Sequence, residues 1–310
     1  MKTEGLLNRD QTLKEYYIRI NRVIDYIENN LSSELNLETL SKVACFSAYH
    51  FHRLFRSITG ETLAVYVKKR RIIAAANRIY HFPEVKISQI AYEFGFSGQS
   101  DFSRSFKSFF KITPSEFLET RRLKNGLSWH YADYGKELFS SVGKDFSEFD
   151  INICRLEDYT VAYIRNTGLS EEHKSEKIED SFRKLYTWAA ARELISPHAH
   201  VLGITLDNPE IVPLTECRHD TCITISREAE PDGNIGIRIL SSGGRYAACD
   251  FDAEKPDFSK SFFEAIDYIY GCWMPQNGYL PEDRPCIERY HKNHENGHIF
   301  IELMIPIYPC

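Results

Sequence analysis

Two seven-residue runs in the first third of the chain share one pattern of residue types. Phe51-His52-Arg53-Leu54-Phe55-Arg56-Ser57 and, later, Phe102-Ser103-Arg104-Ser105-Phe106-Lys107-Ser108 both read Phe-x-Arg-x-Phe-basic-Ser. Each is followed, at once or within a helical turn, by Ile-Thr and a helix breaker, at Ile58-Thr59-Gly60 and Ile112-Thr113-Pro114. On a helix the pattern separates two faces. Phe51, Leu54, Phe55 and Ile58 recur at i, i+3, i+4, i+7 and form one apolar stripe. Tyr49, His52, Arg53 and Arg56 repeat the same spacing on another face, and all can hydrogen-bond. In the second run Phe102, Phe106 and Phe109 form the inner stripe. Ser100, Ser103, Arg104 and Lys107 form the outer one, with Gln99 just before them.

These ridges need elements to hold them. Each run is preceded by an apolar helix carrying an alanine, Leu40-Ser41-Lys42-Val43-Ala44 and Ile87-Ser88-Gln89-Ile90-Ala91, so helix, turn, helix is written twice. Ser47 and Ser97 stand where N-caps are expected. Between the copies, about Leu63 to Tyr80, no breaker occurs before Pro83. A helix over that span is about 27 Å long, close to the ~34 Å between successive major-groove faces on one side of B-DNA. A stiff spacer of this length lets two helices of one monomer enter neighbouring grooves. Lys68, Lys69, Arg70 and Arg71 on the spacer, with Arg121, Arg122 and Lys124 beyond it, read equally as phosphate contacts or as solvated charges.

Charge supports a divided chain. The net charge of −6 conceals 20 Lys and Arg against 13 Asp and Glu in residues 1–125, and 18 against 31 in residues 126–310. A basic front half suits a polyanion, and the acidic rear half suits something else. A length of 310 residues predicts two domains. Hydrophobic content of 43% and aromatic content of 13% exclude a disordered chain. The eight cysteines contain no Cys-x-x-Cys pair and read as free thiols of a reducing cytosol. Cys217-Arg218-His219 is the nearest approach to a zinc spacing, and no metal or other cofactor is expected. The N-terminus lacks an apolar signal core, and no run reaches the ~18–20 apolar residues that span a bilayer. A cytoplasmic protein with no membrane partner is expected.

Residues 15–124 resemble the DNA-binding domain of the AraC/XylS family. The resemblance rests on Ile90 through Lys107 as an ordered run, closing with Thr113-Pro114-Ser115-Glu116-Phe117. It implies that Tyr49, His52 and Arg53 read bases from the first recognition helix, beside Arg56. Gln99, Ser100, Ser103 and Arg104 do so from the second, beside Lys107. The chemistry agrees, because Arg can bind guanine and Gln adenine in a bidentate way. Asp101 cannot favour a phosphate and is left to a cytosine amine or a helix cap.

The rear half reads as strands and helices in the order β-α-β-β, written twice. The first copy comprises a strand within Asp150–Arg165, a helix at about 175–194 with Phe182, Leu185, Tyr186 and Ala189 on one face, and strands at Val201–Leu206 and Thr221–Ser226. The second comprises Ile235–Phe251, a helix at about 257–272, and strands at Cys286–His291 and His298–Ile307. Turns are expected at Asn208-Pro209 and from Asn293 through Gly297. Such a pair makes a cleft suited to a small ligand. Trp273 through Tyr279, Pro285 through Tyr290 and Ile301 through Ile307 resemble the GyrI-like effector-binding domain. The arrangement is similar to the Rob-type subgroup. The resemblance implies that Glu302 lies in the cleft among Tyr163, Trp273 and Tyr290, with Glu288 as a further candidate. A carboxylate beside ring faces suits a lipophilic cation.

The expected fold is therefore multidomain. A tail (1–14) precedes an all-α domain with two helix-turn-helix units (15–124), a linker containing Gly126, Gly135 and Gly143 (125–147), and an α+β domain of duplicated βαββ (148–310). The expected function is an effector-sensing transcription regulator, an activator by resemblance. Its partners are double-stranded promoter DNA, a small amphipathic or cationic effector and RNA polymerase, and it has no catalytic residues. Two alternatives stand beside it. One is a GyrI-like hydrolase using Glu302 with Glu288 as an acid/base pair, and the other is a rear domain that binds a macromolecule.

Overall fold

A computed structural model describes residues 2–82, 84–124, 149–168, 174–208, 211–213, 215–240, 243–282, 284–292 and 297–309. They divide into two compact units. The expected linker, including its three glycines, lies outside the described residues, as do Pro209 and residues 293–296 of the expected turns.

The first unit, which also takes in Glu230–Gly236, is built on helices: α1 Lys2–Asn29, α2 Leu37–Val43, α3 Ala48–Thr59, α4 Leu63–His81, α5 Ile87–Glu93, α6 Gln99–Phe110 and α7 Pro114–Lys124. The expected N-terminal tail is instead the first part of α1, in a stretch with no proline to interrupt it. Local chemistry sets the boundaries. Asn36, Ser47 and Thr62 cap α2, α3 and α4 by accepting from the backbone N–H of Thr39, His50 and Val65, each worth about 1 kcal/mol. Gly60, at φ 81°, ends α3 in the left-handed region. The second breaker is not Pro114, which begins α7. Helix α6 stops at Lys111, itself left-handed at φ 66°. Thr113 and Glu116 then form a reciprocal capping box for α7, at 2.7 and 3.2 Å. Those bonds hold the Glu116 carboxyl below its usual range.

Phenylalanines anchor both copies. Phe51 and Phe55 are fully buried with Ile20, Val23, Ile27, Leu40 and Val67. Phe102 and Phe106 are fully buried, and Phe106 meets Phe117 edge to face. Helix α4 packs on α3 and on both α5 and α6.

The second unit comprises β1 Asn152–Arg155, β2 Tyr159–Thr167, α8 Lys174–Ala190, β3 Val201–Thr205, β4 Arg218–Thr224, β5 Ile235–Leu240, β6 Arg245–Asp252, α9 Phe258–Tyr268, a π turn Ile269–Trp273, α10 Met274–Asn277, β7 Tyr279–Pro281, β8 Cys286–Lys292 and β9 Ile299–Pro309. The sheet order is β1-β6-β9-β8-β3-β4-β2-β5, with β7 beside β9. Outward from the central β8–β3 pair, each set of strands runs to its own edge. There the first strands cross over: β1 precedes β2 in the chain but pairs with β6, and β5 lies beside β2. The expected single strands at Asp150–Arg165 and Ile235–Phe251 are each two strands, broken at Leu156-Glu157-Asp158 and around Gly243-Gly244.

Directly opposed residues of antiparallel strands project to one side, and neighbours along a strand to opposite sides. Helices α8 and α9 cover the side that carries Ala162, Val201, Tyr290, Leu303 and Ala247. On α8 the buried face is Ile178, Ser181, Leu185, Trp188 and Ala189. Tyr186, expected on that face, is 60% exposed.

Candidate functional site

In the helical unit the outer ridges are free of the core. On α3, Tyr49 is 73% exposed, and His52, Arg53 and Arg56 are exposed with it. Arg53 donates from Nη1 to the Tyr49 hydroxyl at 2.9 Å, and its guanidinium stands 5.8 Å from that ring's centroid. On α6, Gln99, Ser100, Arg104 and Lys107 are exposed, while Ser103 is half-buried. Asp101 at the start of α6 accepts from the Ser97 hydroxyl at 3.2 Å and stands 3.8 Å from Lys68. The N-cap is Gly98, so Ser97 is a residue earlier than expected and acts through Asp101.

Three of the four spacer cations are tied to other parts of the free chain, while Lys68 is exposed and stands 3.8 Å from Asp101. Arg70 is buried and donates to Glu28 on α1 at 2.9 and 3.2 Å. Arg71 donates to three backbone carbonyls. Lys69 pairs with Glu61 at 2.6 Å. Sequence reasoning missed these ties because Glu28 and the Leu31, Ser33 and Gly95 carbonyls are remote in the chain, and Glu61 lies before α4 outside the helical i,i+3 or i,i+4 spacing.

In the second unit the five expected effector residues divide between the two sides of the sheet. Glu302 opposes Arg289 on β8 and Asp250 on β6, and it forms an ion pair with Arg289. That pairing is why a carboxylate is tolerated beside Met304. Tyr163 is fully buried on the same side, with the guanidinium groups of Arg165 and Arg238 at 5.3 and 4.8 Å from its ring centroid. Glu288 and Tyr290 lie on the helix-bearing side, as does the packing cluster that includes Trp273. Glu302 therefore does not share a cleft with Trp273 and Tyr290. Nor can Glu302 and Glu288 act as an acid/base pair on one substrate, because the sheet separates them.

What the structure gathers instead is centred on Glu288. The Tyr290 hydroxyl donates to Glu288 at 2.6 Å, and the Thr205 hydroxyl lies 3.5 Å from the other carboxylate oxygen. Burial, the Glu288 charge and that hydrogen bond hold the Tyr290 phenol well above its usual range. Tyr290 meets Phe182 of α8 edge to face, and Cys286, two residues the other way, meets Tyr270 of the π turn. Glu288 thus stands between contributions from both helical segments. Gly203 lies opposite it, and a Cβ there would sit 2.7 Å from His219 and 3.2 Å from the Tyr290 ring. Trp273 stacks on Tyr279 at 5.7 Å.

Three of the described thiols are held protonated by their surroundings. Burial pushes Cys249 and Cys286 up to about 11 and Cys222 further. Among the described residues no group of His, Cys, Asp or Glu is arranged to hold a metal. Cys217 donates to the Val212 carbonyl and Arg218 pairs with Asp207, which accounts for the apparent zinc spacing. No described helix is long and apolar enough to cross a membrane.

Comparison with known proteins agrees with this division. Residues 149–308 match the GyrI-like small molecule binding domain, and residues 40–120 match a helix-turn-helix domain. Over 103 residues the chain is 33% identical to the multiple antibiotic resistance protein MarA of Escherichia coli K12, covering 33% of this chain and 80% of MarA. Over 98 residues it is 33% identical to the regulatory protein SoxS of Salmonella typhimurium, covering 32% of this chain and 91% of SoxS. The chain belongs to the AraC family of transcription regulators. This AraC-family chain joins a DNA-binding unit to a GyrI-like small-molecule-binding domain. The solved C-terminal domain of EcmrR is also similar, at 11% identity and a TM-score of 0.40, covering 53% of this chain and 99% of that one.

Proposed function

We propose that one copy of this chain reads promoter DNA with Tyr49, His52, Arg53 and Arg56 on α3 and with Gln99, Ser100, Ser103, Arg104 and Lys107 on α6. The observation that carries this reading is the repeated ridge itself. In each copy, hydrogen-bonding side chains stand exposed on a helix whose opposite face is pinned by buried phenylalanines. Arg is suited to guanine and Gln to adenine, and the ridges sit on rigid elements. In the same reading the chain acts in the cytoplasm as an activator that contacts RNA polymerase.

The second unit serves as a sensor, with Glu288, Tyr290 and Trp273 on the ligand side. A half-buried carboxylate bonded to Tyr290, whose ring meets Phe182, supports an amphipathic cation as ligand, because charge pairing and ring faces act together. Regulation requires that the ligand bind the active and inactive states with different affinity. The separation of Glu302 from Glu288 speaks for sensing over hydrolysis. Incubating the full chain with tetraphenylphosphonium and a panel of aromatic cations tests both points. Saturable binding with unchanged compound by mass spectrometry is expected. No binding by any cation, or turnover of one, contradicts the reading.

A further inference from the structure

Arg71 stands on α4, and its side chain joins segments on either side of that helix in the sequence. Its Nε donates to the Leu31 carbonyl at 2.9 Å and its Nη2 to the Ser33 carbonyl at 2.6 Å. Both acceptors lie in the connection from α1 into α2, the first helix of the first copy. The remaining arm, Nη1, donates to the Gly95 carbonyl at 3.2 Å, in the turn between α5 and α6 of the second copy. Gly95 is built for this approach. It has φ +70°, and a Cβ there would sit 2.9 Å from the guanidinium carbon. The planar fork of an arginine spreads its donors over three nitrogens and so reaches acceptors on well-separated segments, where a lysine offers its three donors from one point.

We propose that Arg71 is the positioning residue that fixes the spacing and mutual orientation of the reading helices α3 and α6. Helix α4 supplies the distance between the copies, and Arg71 removes the remaining freedom of each copy to swing about it. The consequence for DNA is a single allowed separation between the two base motifs. This inference rests on the reading that both α3 and α6 contact bases.

The test is selection of bound sequences from random duplexes with the full chain, Arg71→Lys and Gly95→Ala, each checked for folding by circular dichroism. Wild type is expected to enrich two motifs at one spacing. The variants are expected to enrich the same motifs over several spacings. Their affinity for the wild-type duplex should fall about ten-fold as the second helix loses effective concentration. General loss of folded protein would lower yield without broadening the spacing. If Arg71→Lys does not fold, Gly95→Ala decides the matter. A folded variant that keeps the single spacing overturns the role of Arg71. A wild-type chain that enriches no motif overturns the reading of the helices on which the proposal rests.

Discussion

Arg53 donates to the hydroxyl of Tyr49, one turn back on α3, so the arginine proposed to read bases from α3 is held by its neighbour in the free chain. Arg53→Ala and Arg104→Ala should each cost about 1–3 kcal/mol in specific binding while leaving non-specific binding nearly intact. Tyr49→Phe removes the restraint on Arg53 together with the hydroxyl's own polar contact, and should cost less than Arg53→Ala. Fluorescence anisotropy on matched and scrambled duplexes measures all three. Equal losses on both duplexes would mean that these side chains touch phosphates.

Arg70 has a different role from the one its place in a basic run suggests. It is buried against Glu28, and leaving that carboxylate without its partner should lower stability by about 2–3 kcal/mol. Arg70→Ala should therefore shift the urea midpoint and leave unchanged the slope of log affinity against log salt. A slope reduced by about one would make Arg70 a phosphate contact after all.

The helical unit was legible because its signals are local. Apolar spacing, Ser47 as a cap and the repeated Phe-x-Arg pattern all act within a turn or two, and the spacer helix ends one residue from its expected limit. The rear half was legible as alternating elements but not as a site. Which side of the sheet Glu302 faces follows from its register with Arg289, and register joins residues far apart in sequence. The same holds for the crossed edge strands and for Asp220 with Arg165. Glu288 was visible as a candidate, but the alternation that places Tyr290 beside it and Glu302 behind the sheet became usable only once β8 and β9 were paired.

The two glutamates make opposite predictions. Glu288→Gln should abolish the rise in melting temperature given by tetraphenylphosphonium and change the unliganded protein little. Glu302→Gln should lower the unliganded melting temperature, because Arg289 loses its partner, and keep the ligand-induced rise. Thermal-shift curves separate them, and a rise lost only in the Glu302 variant would return the site to the other side of the sheet.

Asp220 gives the second unit an acid limit. It is fully buried, and burial alone would raise its pKa. Arg165, which it meets at 2.8 Å through both oxygens, and Arg238 at 2.9 Å outweigh that, so the carboxyl is held below its usual value. A group depressed in the folded state stabilises above its unfolded pKa of about 3.9 and loses that contribution as pH falls. The stability gap between wild type and Asp220→Asn should therefore be constant from pH 7 to 5 and shrink below about 4. Urea titrations across that range provide the check, and a gap that widens on acidification would reverse the sign.

Hydroxyl-radical footprinting of the full chain on a selected duplex, at measured stoichiometry, asks most directly whether two ridges of one monomer read one face of DNA. One chain per duplex should protect two segments about 10 base pairs apart, with Arg53→Ala relaxing base preference in one segment and Arg104→Ala in the other. A single protected segment per chain, or two chains for two segments, would contradict it.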